Sequence, residues 1–211
     1  MSGSVLGAMD QPLIVIRAAN PTYDEGLSCG HYLNEAAEGF FRFMLGRQFA
    51  QIIAKAYTHP NHSYSFQNVS FADYDKHIIG MALGFTSDQY RLFSDRPLKE
   101  AAGYRNLRMT VVKILCAPML RIVETIADGD FYLLAMAIDK DFRGKGVGSA
   151  LMNSIKERAR TNGSTRLSLD VSANNKHARR LYEKWGMTIE SQWPKRLPLP
   201  GLRFYRMAKF L

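Results

Sequence analysis

Cysteines and long apolar runs are scarce in this chain of 211 residues, and each shortage excludes a class of protein. Two cysteines, Cys29 and Cys116, are too few and too far apart for a disulfide scaffold or a cysteine-rich metal site. We therefore expect free thiols in a reducing, cytoplasmic compartment and no bound metal. No run of about 18 apolar residues is present, so we expect no membrane-spanning helix. The first nine residues lack the basic segment and apolar centre of a secretory signal.

Linker-like and repetitive segments are also missing. Hydrophobic residues make up 46% of the chain, which is enough to bury one core at this length. The sequence therefore predicts a single domain over residues 1–211.

Charge is distributed unevenly in this chain, whose net charge is +9. Residues 140–211 contain 16 Lys or Arg against 5 Asp or Glu, whereas residues 1–139 contain 12 against 14. The excess of cations in one part of the chain indicates an anionic ligand there. Because the basic residues are dispersed and accompany no nucleic-acid motif, nucleic acid is not the ligand we expect.

A basic glycine-rich turn follows the wholly apolar run Phe131–Ile138. A run of this kind is typical of a central strand covered on both faces. Glycines let backbone N–H groups approach a ligand closely, and the exposed N–H groups of a new helix favour negative charge. The pattern therefore predicts a phosphate-binding loop between a strand and a helix. The turn comprises Arg143, Gly144, Lys145, Gly146, Val147 and Gly148, and the helical stripe comprises Val147, Ala150, Leu151, Ser154, Ile155 and Ala159.

The glycine pattern of this loop also occurs in other kinds of turn. A Walker loop is excluded because the four-residue gap and the Gly-Lys-Ser/Thr ending are missing. A tight turn without a ligand stays open. A dinucleotide-binding loop also stays open, because Asp170 follows Gly148 by about 20 positions, although the loop lies far from the beginning of the chain.

A second pattern follows between residues 166 and 187. Leu167, Leu169 and Val171 alternate with polar residues, which predicts a strand with Asp170 on its other side. We then expect Asn174 or Asn175 to cap a helix that ends at Gly186. The apolar face of this helix comprises Ala178, Leu181, Tyr182 and Trp185.

Together the two patterns resemble the GNAT superfamily of acetyl-coenzyme A dependent N-acyltransferases. Arg143-x-x-Gly146-x-Gly148 resembles the pyrophosphate loop of that family, and Asn175-x-x-Ala178-x-x-Leu181-Tyr182 resembles its Asn-x-x-Ala-x-x-Leu-Tyr segment. Residues 166–187 are most similar to the ribosomal-protein N-terminal acetyltransferases. The resemblance covers roughly residues 131–190.

The resemblance implies an α/β (α+β) fold with a mixed, largely antiparallel central sheet of about seven strands. Helices flank this sheet, and strands 4 and 5 are splayed apart. The residues upstream predict a strand at Leu13–Arg17, mainly helical structure over 23–57 and a hairpin of Val69–Phe71 with His77–Phe85. Met187–Gln192 and Phe204–Phe210 are expected to form the last two strands.

Residues 88–127 depart from the shortest form of the family. Where many members turn directly into the next strand, this chain inserts about 40 residues with helical patches that include Leu107, Val111, Ile114 and Leu115. We expect the insertion to shape an acceptor site or a dimer surface. The resemblance leaves both a monomer and a homodimer open.

The resemblance implies acetyl-coenzyme A as cosubstrate, with no metal. Its binding residues would lie at the end of a strand, in the loop and on the following helix, and cationic Lys176, Arg179 or Arg180 could meet its phosphates. The cofactor-binding set is Met136, Ala137, Ile138, Arg143, Gly144, Lys145, Gly146, Val147, Gly148, Ser149, Asn175, Ala178 and Tyr182.

Tyr182 and Asp170 are the catalytic candidates that the resemblance implies. Tyr182 would protonate the leaving thiolate, and its alternative role is packing in the core. Asp170 lies where related N-terminal acetyltransferases often carry a glutamate base that acts through water; its alternative role is a structural carboxylate paired with a cation. Further candidates for the base are Glu124, Asp73, His62 and His77.

The expected activity is transfer of acetyl to a primary amine, on a small molecule or a peptide N-terminus, by direct attack in a ternary complex. Amines are protonated at neutral pH, so the reaction needs a base, a site for the oxyanion and an acid for the sulfur. The alternative is a module that binds acetyl-coenzyme A for regulation or interaction without turnover.

Overall fold

A seven-stranded mixed sheet forms the centre of the computed structural model, which describes residues 13–117, 125–194 and 203–211. Its strands are β1 (Val15–Ala18), β2 (Val69–Tyr74), β3 (His77–Thr86), β4 (Asp130–Ile138), β5 (Arg166–Ser172), β6 (Thr188–Trp193) and β7 (Phe204–Phe210). The strand order is β1-β2-β3-β4-β5-β7-β6, and β4 with β5 is the parallel pair among antiparallel neighbours. The predicted fold class is confirmed, although β1 lies between Val15 and Ala18 rather than Leu13 and Arg17.

Helices cover both faces of this sheet. They are α1 (Tyr23–Ala36), α2 (Phe40–Leu45), α3 (Phe49–Tyr57), α4 (Ser87–Leu92), α5 (Arg96–Ala102), α6 (Asn106–Leu115), α7 (Val147–Thr161) and α8 (Lys176–Lys184). One hydrophobic core lies between the sheet and the first six helices, and a second core lies between the sheet and α7 with α8. None of the described helices combines the length and hydropathy that a membrane crossing requires.

The β2–β3 hairpin closes through a two-residue turn. Asp75 and Lys76 have φ angles of 49° and 63°, and Tyr74 pairs directly with His77. Two consecutive left-handed residues match the twist of the flanking strands. The predicted hairpin is confirmed, with a first strand longer than the predicted Val69–Phe71.

The predicted insertion at residues 88–127 contains most of α4 and all of α5 and α6. Met109 and Val112 of α6 are buried against the core that contains α1 and α3. The four apolar residues that mark the helical pattern are exposed, namely Leu107, Val111, Ile114 and Leu115. Residues 118–124 lie outside the described residues. A role of the insertion at the acceptor site or in a dimer stays a prediction.

β4 and β5 separate after a short paired section. Asp130–Leu133 pairs with Arg166–Leu169, and the pairing stops there. β4 continues beside β3 as far as Ile138, while β5 continues beside β7 as far as Ser172. The two facing strand edges therefore have no strand partner beyond Leu133 and Leu169 among the described residues. This separation is the predicted splay of strands 4 and 5.

A β-bulge in β4 coincides with this separation. Leu83 of β3 pairs with Ala135, and the next residue, Gly84, pairs with Leu133, so Leu134 is an extra residue in the ladder. Side chains consequently change faces along β4. Leu133 packs in the core with α7, whereas Ala135 packs in the opposite core.

The bulge requires a glycine at position 84. A Cβ atom there would lie 2.6 Å from Cε1 of Phe131 and 2.9 Å from the carbonyl oxygen of Tyr132. We expect Gly84→Ala to lower the free energy of unfolding by about 2 kcal/mol, because the ring and the backbone of β4 must move. Urea denaturation followed by circular dichroism measures this loss.

Gly80→Ala is the matched control on the same strand. Its Cβ would lie 3.1 Å from the carbonyl oxygen of Ala137, a contact that needs a smaller adjustment. The control should therefore lose less stability than Gly84→Ala. Equal losses would contradict a specific requirement for glycine opposite the bulge.

Candidate functional site

The glycine-rich loop connects the end of β4 to the beginning of α7. Gly144 and Gly146 have left-handed φ angles of 76° and 87°, and nothing lies within 4 Å of where their Cβ atoms would be. Gly146 caps α7 without a side-chain hydrogen bond, so the cap residue leaves the first N–H groups of this helix available to a ligand. An open glycine turn at a 15-residue helix N-terminus suits a phosphate group.

Gly148 brings the loop, β4 and α8 together. A Cβ atom at this position would lie 3.2 Å from Cδ1 of Ile138 and 3.4 Å from Cδ2 of Leu181. The beginning of α7 therefore packs closely on the end of β4 and on α8. The two sequence motifs, which lie about 30 residues apart, meet at this contact.

Two cations of the loop have partners of their own. Arg143 Nε donates to the carbonyl oxygen of Ile138 at 2.9 Å, and its guanidinium forms an ion pair with Glu35 of α1. The ammonium group of Lys145 lies 5.3 Å from the centre of the Phe142 ring. Both side chains are exposed at this surface, where they can contribute positive potential.

The end of β4 is also attached to α1. The Tyr32 hydroxyl donates to Asp139 Oδ1 at 2.9 Å, and it lies 3.1 Å from the carbonyl oxygen of Ile78. Burial, with the neighbouring Asp139 carboxylate, raises the pKa of Tyr32 and keeps this donor protonated. The loop therefore begins from a fixed point on the sheet.

Asn175, rather than Asn174, caps α8. Its side chain accepts a hydrogen bond from the Ala178 backbone N–H at 3.0 Å, while Gly186 follows the helix with a φ of 76°. The predicted cap and termination of this helix are confirmed. The cap occupies the Asn175 side-chain oxygen, so contact between Asn175 and a cofactor stays a prediction.

Tyr182 lies on the inward face of α8 and is 7% exposed. Burial raises the pKa of Tyr182 to about 12, because the phenolate is poorly solvated there. A neutral phenol of this kind can donate a proton to a thiolate at neutral pH. The predicted apolar face is confirmed, since Tyr182 lies in the core with α7 and the partly buried Ala178, Leu181 and Trp185 pack against that core.

Asp170 is held in a buried ion pair. Arg206 of β7 donates to both of its oxygens, from Nε at 2.9 Å and from Nη2 at 2.7 Å. The Tyr132 hydroxyl of β4 donates to Asp170 Oδ2 at 2.7 Å. The Asp170 and Arg206 side chains are only 6% and 7% exposed. This arrangement favours the structural alternative for Asp170, and its assignment as a base stays a prediction.

The other candidates for the base lie elsewhere in the fold. Asp73 pairs with Arg17 at 2.6 Å on β1 and β2, at the sheet edge remote from β5. Nε2 of His62 is bonded to the carbonyl oxygen of Ala56 at 2.8 Å, and burial lowers the pKa of this histidine. His77 begins β3 next to the hairpin turn. Glu124 lies outside the described residues.

Two residues around Asp170 were not identified as functional candidates from the sequence. Tyr132 is one polar hydroxyl inside the apolar run, and Arg206 is a charge between Tyr205 and Met207 of a strand. An arginine in a strand of mostly apolar residues signals a buried carboxylate partner, since buried charges need pairing. Nothing in the sequence identifies Asp170 as that partner.

The cations of α8 are partly engaged within the protein. The guanidinium of Arg179 lies 4.9 Å from the centre of the Tyr205 ring, and it pairs with Glu183 at 3.5 Å. Lys176 and Arg180 stay candidates for contact with a phosphate. In the described parts of the chain, no group of three or more histidine, cysteine, aspartate or glutamate side chains could hold a metal ion.

A sequence model of the Acetyltransferase (GNAT) family matches residues 30–187. The chain is also 38% identical over 58 residues to the uncharacterized N-acetyltransferase YdgE of Bacillus subtilis (strain 168). That alignment covers 28% of this chain and 37% of YdgE, so the chain matches little more than a third of its curated relative.

Solved structures share the fold over nearly the whole chain. The crystal structure of an acetyltransferase superposes with a TM-score of 0.65 and 20% identity, and the match covers 93% of this chain and 98% of that one. The Escherichia coli ribosomal-protein-S18-alanine N-acetyltransferase gives a TM-score of 0.51 at 14% identity, with 94% of each chain covered. At these identities the likeness supports the fold and not the acceptor.

The Asn175 cap leads to a testable prediction. Asn175→Ala should lower the free energy of unfolding by about 1 kcal/mol, because the Ala178 N–H loses its acceptor at the end of α8. Asn175→Asp keeps an acceptor and serves as the matched control. Urea denaturation compares the three proteins. Unchanged stability of Asn175→Ala, with weaker acetyl-coenzyme A binding, would instead make this side chain a ligand contact.

Proposed function

Because this chain belongs to the Acetyltransferase (GNAT) family, we propose that it transfers the acetyl group of acetyl-coenzyme A to a primary amine by direct attack in a ternary complex. One observation carries this proposal. The separation of β4 from β5 opens at the same end of the sheet as the N-terminus of α7. A strand edge that has no strand partner among the described residues therefore adjoins a site suited to phosphate.

The described residues fit the parts of this cosubstrate. The turn at Gly144 and Gly146 and the beginning of α7 would hold the pyrophosphate through backbone N–H groups, with Arg143 and Lys145 nearby. Backbone groups of β4 after Leu133 would bind the amide groups of the pantetheine arm in place of a neighbouring strand. The proposed binding set comprises Met136, Ala137, Ile138, Arg143, Gly144, Lys145, Gly146, Val147, Gly148, Ser149, Asn175, Ala178 and Tyr182.

In the proposed reaction, the amine nitrogen forms a bond to the acetyl carbonyl carbon and the carbon–sulfur bond breaks. Acetyl-coenzyme A supplies the activated thioester. Backbone N–H groups on the free edge of β4 would stabilise the oxyanion. Tyr182 would donate its proton to the departing sulfur, and its raised pKa keeps that proton available at neutral pH.

Deprotonation of the amine needs a base, for which Asp170 is the candidate. Asp170 lies on β5 next to the separation, but Arg206 and Tyr132 already donate to its oxygens. A water would therefore have to share an oxygen that other donors use. We assign the role of acid to Tyr182. Turnover of an Asp170→Asn variant as a function of pH tests Asp170 as the base.

A peptide N-terminus or a small-molecule amine is the proposed acceptor. The resemblance of residues 166–187 to ribosomal-protein N-terminal acetyltransferases supports a peptide amine. The shared fold with the S18-alanine enzyme does not decide the acceptor. Its low sequence identity leaves the choice between the two classes to an acceptor screen.

Calorimetric titration tests the cosubstrate assignment. We expect micromolar binding of acetyl-coenzyme A and no comparable binding of NADH or ATP. Gly146→Ala should weaken acetyl-coenzyme A binding by about tenfold or more, because the new Cβ strains a left-handed backbone and projects into the loop's open surroundings.

Gly163→Ala is the matched control, since Gly163 also has a left-handed φ, of 74°, and equally open surroundings. It lies just after the end of α7, far along the helix from the loop. Its stability loss should resemble that of Gly146→Ala, while its affinity should match that of the wild type. Equal affinities of all three proteins would defeat the loop assignment, and a preference for NADH or ATP would restore the nucleotide alternatives.

Tyr182→Phe tests the acid. We expect turnover, measured as thiol release, to fall by about a hundredfold while acetyl-coenzyme A affinity stays nearly constant. The ordinary pKa of tyrosine is about 10 and burial raises that of Tyr182 to about 12, so the folded protein keeps this proton as pH rises through 10. The defect of the variant should therefore be similar from pH 7 to about pH 10.

Tyr64→Phe removes a second hydroxyl whose pKa burial also raises, at a site where its ring packs on Phe41. Turnover of this control should equal that of the wild type. Equal turnover of Tyr182→Phe would remove Tyr182 as the acid. A wild-type protein that binds acetyl-coenzyme A but releases no thiol with any amine would favour the module without turnover.

A further inference from the structure

The paired section of β4 and β5 has a side-chain bridge at each end. At its beginning, Arg166 donates to both oxygens of Asp130, from Nε at 2.6 Å and from Nη2 at 3.0 Å. At its other end, the hydrogen bond from Tyr132 to Asp170 crosses from β4 to β5. Asp170 is the residue that follows Leu169, the last residue of β5 with a partner in β4. The second bridge therefore lies where the strands begin to separate.

Several contacts fix the second bridge in place. The Arg206 guanidinium holds Asp170 and lies 5.5 Å from the centre of the Tyr132 ring, so one arginine contacts both members. Arg206 also donates to the carbonyl oxygen of Thr125, in the segment that leads into β4. The Phe85 ring of β3 packs against the Tyr132 ring with centroids 6.0 Å apart. The bridge thus connects β3, β4, β5 and β7.

The energetics do not favour stability as the main role of this cluster. Taking two charges out of water costs several kcal/mol, and well-packed apolar residues often replace a buried ion pair without loss. Burial acts to lower the pKa of Arg206, but the hydrogen bond and charge of Asp170 outweigh it and raise that pKa. The ion pair therefore persists, and its directional hydrogen bonds specify one distance between β4 and β5.

We propose that Tyr132, Asp170 and Arg206 are positioning residues that hold β4 and β5 at a set separation, so that the groove for acetyl-coenzyme A exists before binding. This inference rests on the proposed function for the identity of the ligand. A preformed groove avoids the cost of ordering the strands during binding. Asp170 then contributes by holding Tyr132 and Arg206, and its oxygens need no access to the amine.

The decisive variant is Tyr132→Phe, which removes the hydrogen bond across the separation while keeping the ring and the Asp170 carboxylate. Asp130→Asn is the matched control, because it weakens the bridge at the opposite end of the same strand pair. Asp170→Asn keeps an acceptor oxygen for Tyr132 but removes the charge. The three variants separate positioning, general stability and a role of Asp170 as base.

The first readout needs no ligand. Amide hydrogen exchange of the free protein should become about fivefold faster in Tyr132→Phe for residues 134–138 and 170–172, whereas Asp130→Asn should affect residues 130–133 and 166–169. Unchanged exchange beyond Leu133 in Tyr132→Phe would overturn the proposal. Hydrogen exchange tests the positioning role even if the wild type does not bind acetyl-coenzyme A. A lack of binding would contradict the proposed function but not the positioning role.

The second readout is calorimetric affinity for acetyl-coenzyme A together with turnover as a function of pH. Tyr132→Phe should weaken binding by about fivefold to tenfold and lower turnover by a similar factor at every pH. Asp130→Asn should bind as the wild type does, even if urea denaturation finds it less stable. Equal loss of acetyl-coenzyme A affinity in both variants would mean that the bridge contributes only to general stability, which would overturn the proposal.

Asp170→Asn separates positioning from base catalysis. If Asp170 is a positioning residue, the Asp170→Asn variant should retain the acidic limb of the turnover profile. Its loss of turnover should be no larger than that of Tyr132→Phe. Wild-type behaviour of Tyr132→Phe, combined with loss of the acidic limb in Asp170→Asn, would identify Asp170 as the base and overturn the proposal.

Discussion

Main-chain pairing between β4 and β5 stops after Leu133 and Leu169, and each proposed feature of the site depends on this stop. Hydrogen-bonding groups of a central strand are normally satisfied by a neighbour, because leaving them unpaired away from water is costly. Here β4 keeps β3 on one side and loses β5 on the other. The free edge can take hydrogen bonds from an extended ligand in the position of the missing strand.

Two features lie at the point where the strands part. The bulge makes Leu134 an extra residue of β4, and it lies opposite Gly84, where Phe131 and the Tyr132 carbonyl oxygen leave no room for a side chain. The cluster of Tyr132, Asp170 and Arg206 links the strands immediately before they part. A bulge alone reorients a strand, but a bulge beside a buried ion pair also restricts how far the strand can move. In the proposed role of this cluster, the groove between the strands would belong to the folded framework.

The helix α7 adds the electrostatic part of the site. It begins at Val147 directly after the loop, and Gly148 lets it pack against Ile138 and Leu181. The positive end of its dipole consequently lies beside the free edge of β4. Because the loop contains only nine residues between Ile138 and Gly148, chain connectivity itself keeps these two parts together.

Local features of the chain could be predicted from the sequence because they depend on neighbouring residues. A cap at Asn174 or Asn175, the termination at Gly186 and the glycine turn before Val147 follow from local backbone requirements, and helical spacing on α8 places Tyr182 inward. The helical spacing of apolar residues in α6 did not reveal that Leu107 and Val111 would be exposed while Met109 and Val112 are buried. Which side of α6 faces the core depends on packing against other helices such as α2 and α5, which the local sequence of α6 does not encode.

The environment of Asp170 was decided by tertiary structure alone. Its sequence position permits a base or a paired carboxylate, and only the antiparallel register of β5 with β7 brings Arg206 opposite Asp170. Likewise, the parallel register of β4 with β5 brings the Tyr132 hydroxyl to the same carboxylate. The sequence by itself determined the loop, the helix cap and the family resemblance, because each is encoded by residues close together in the chain. The partners of a buried charge were decided by strand pairing, because residues 132, 170 and 206 meet only after the sheet has assembled.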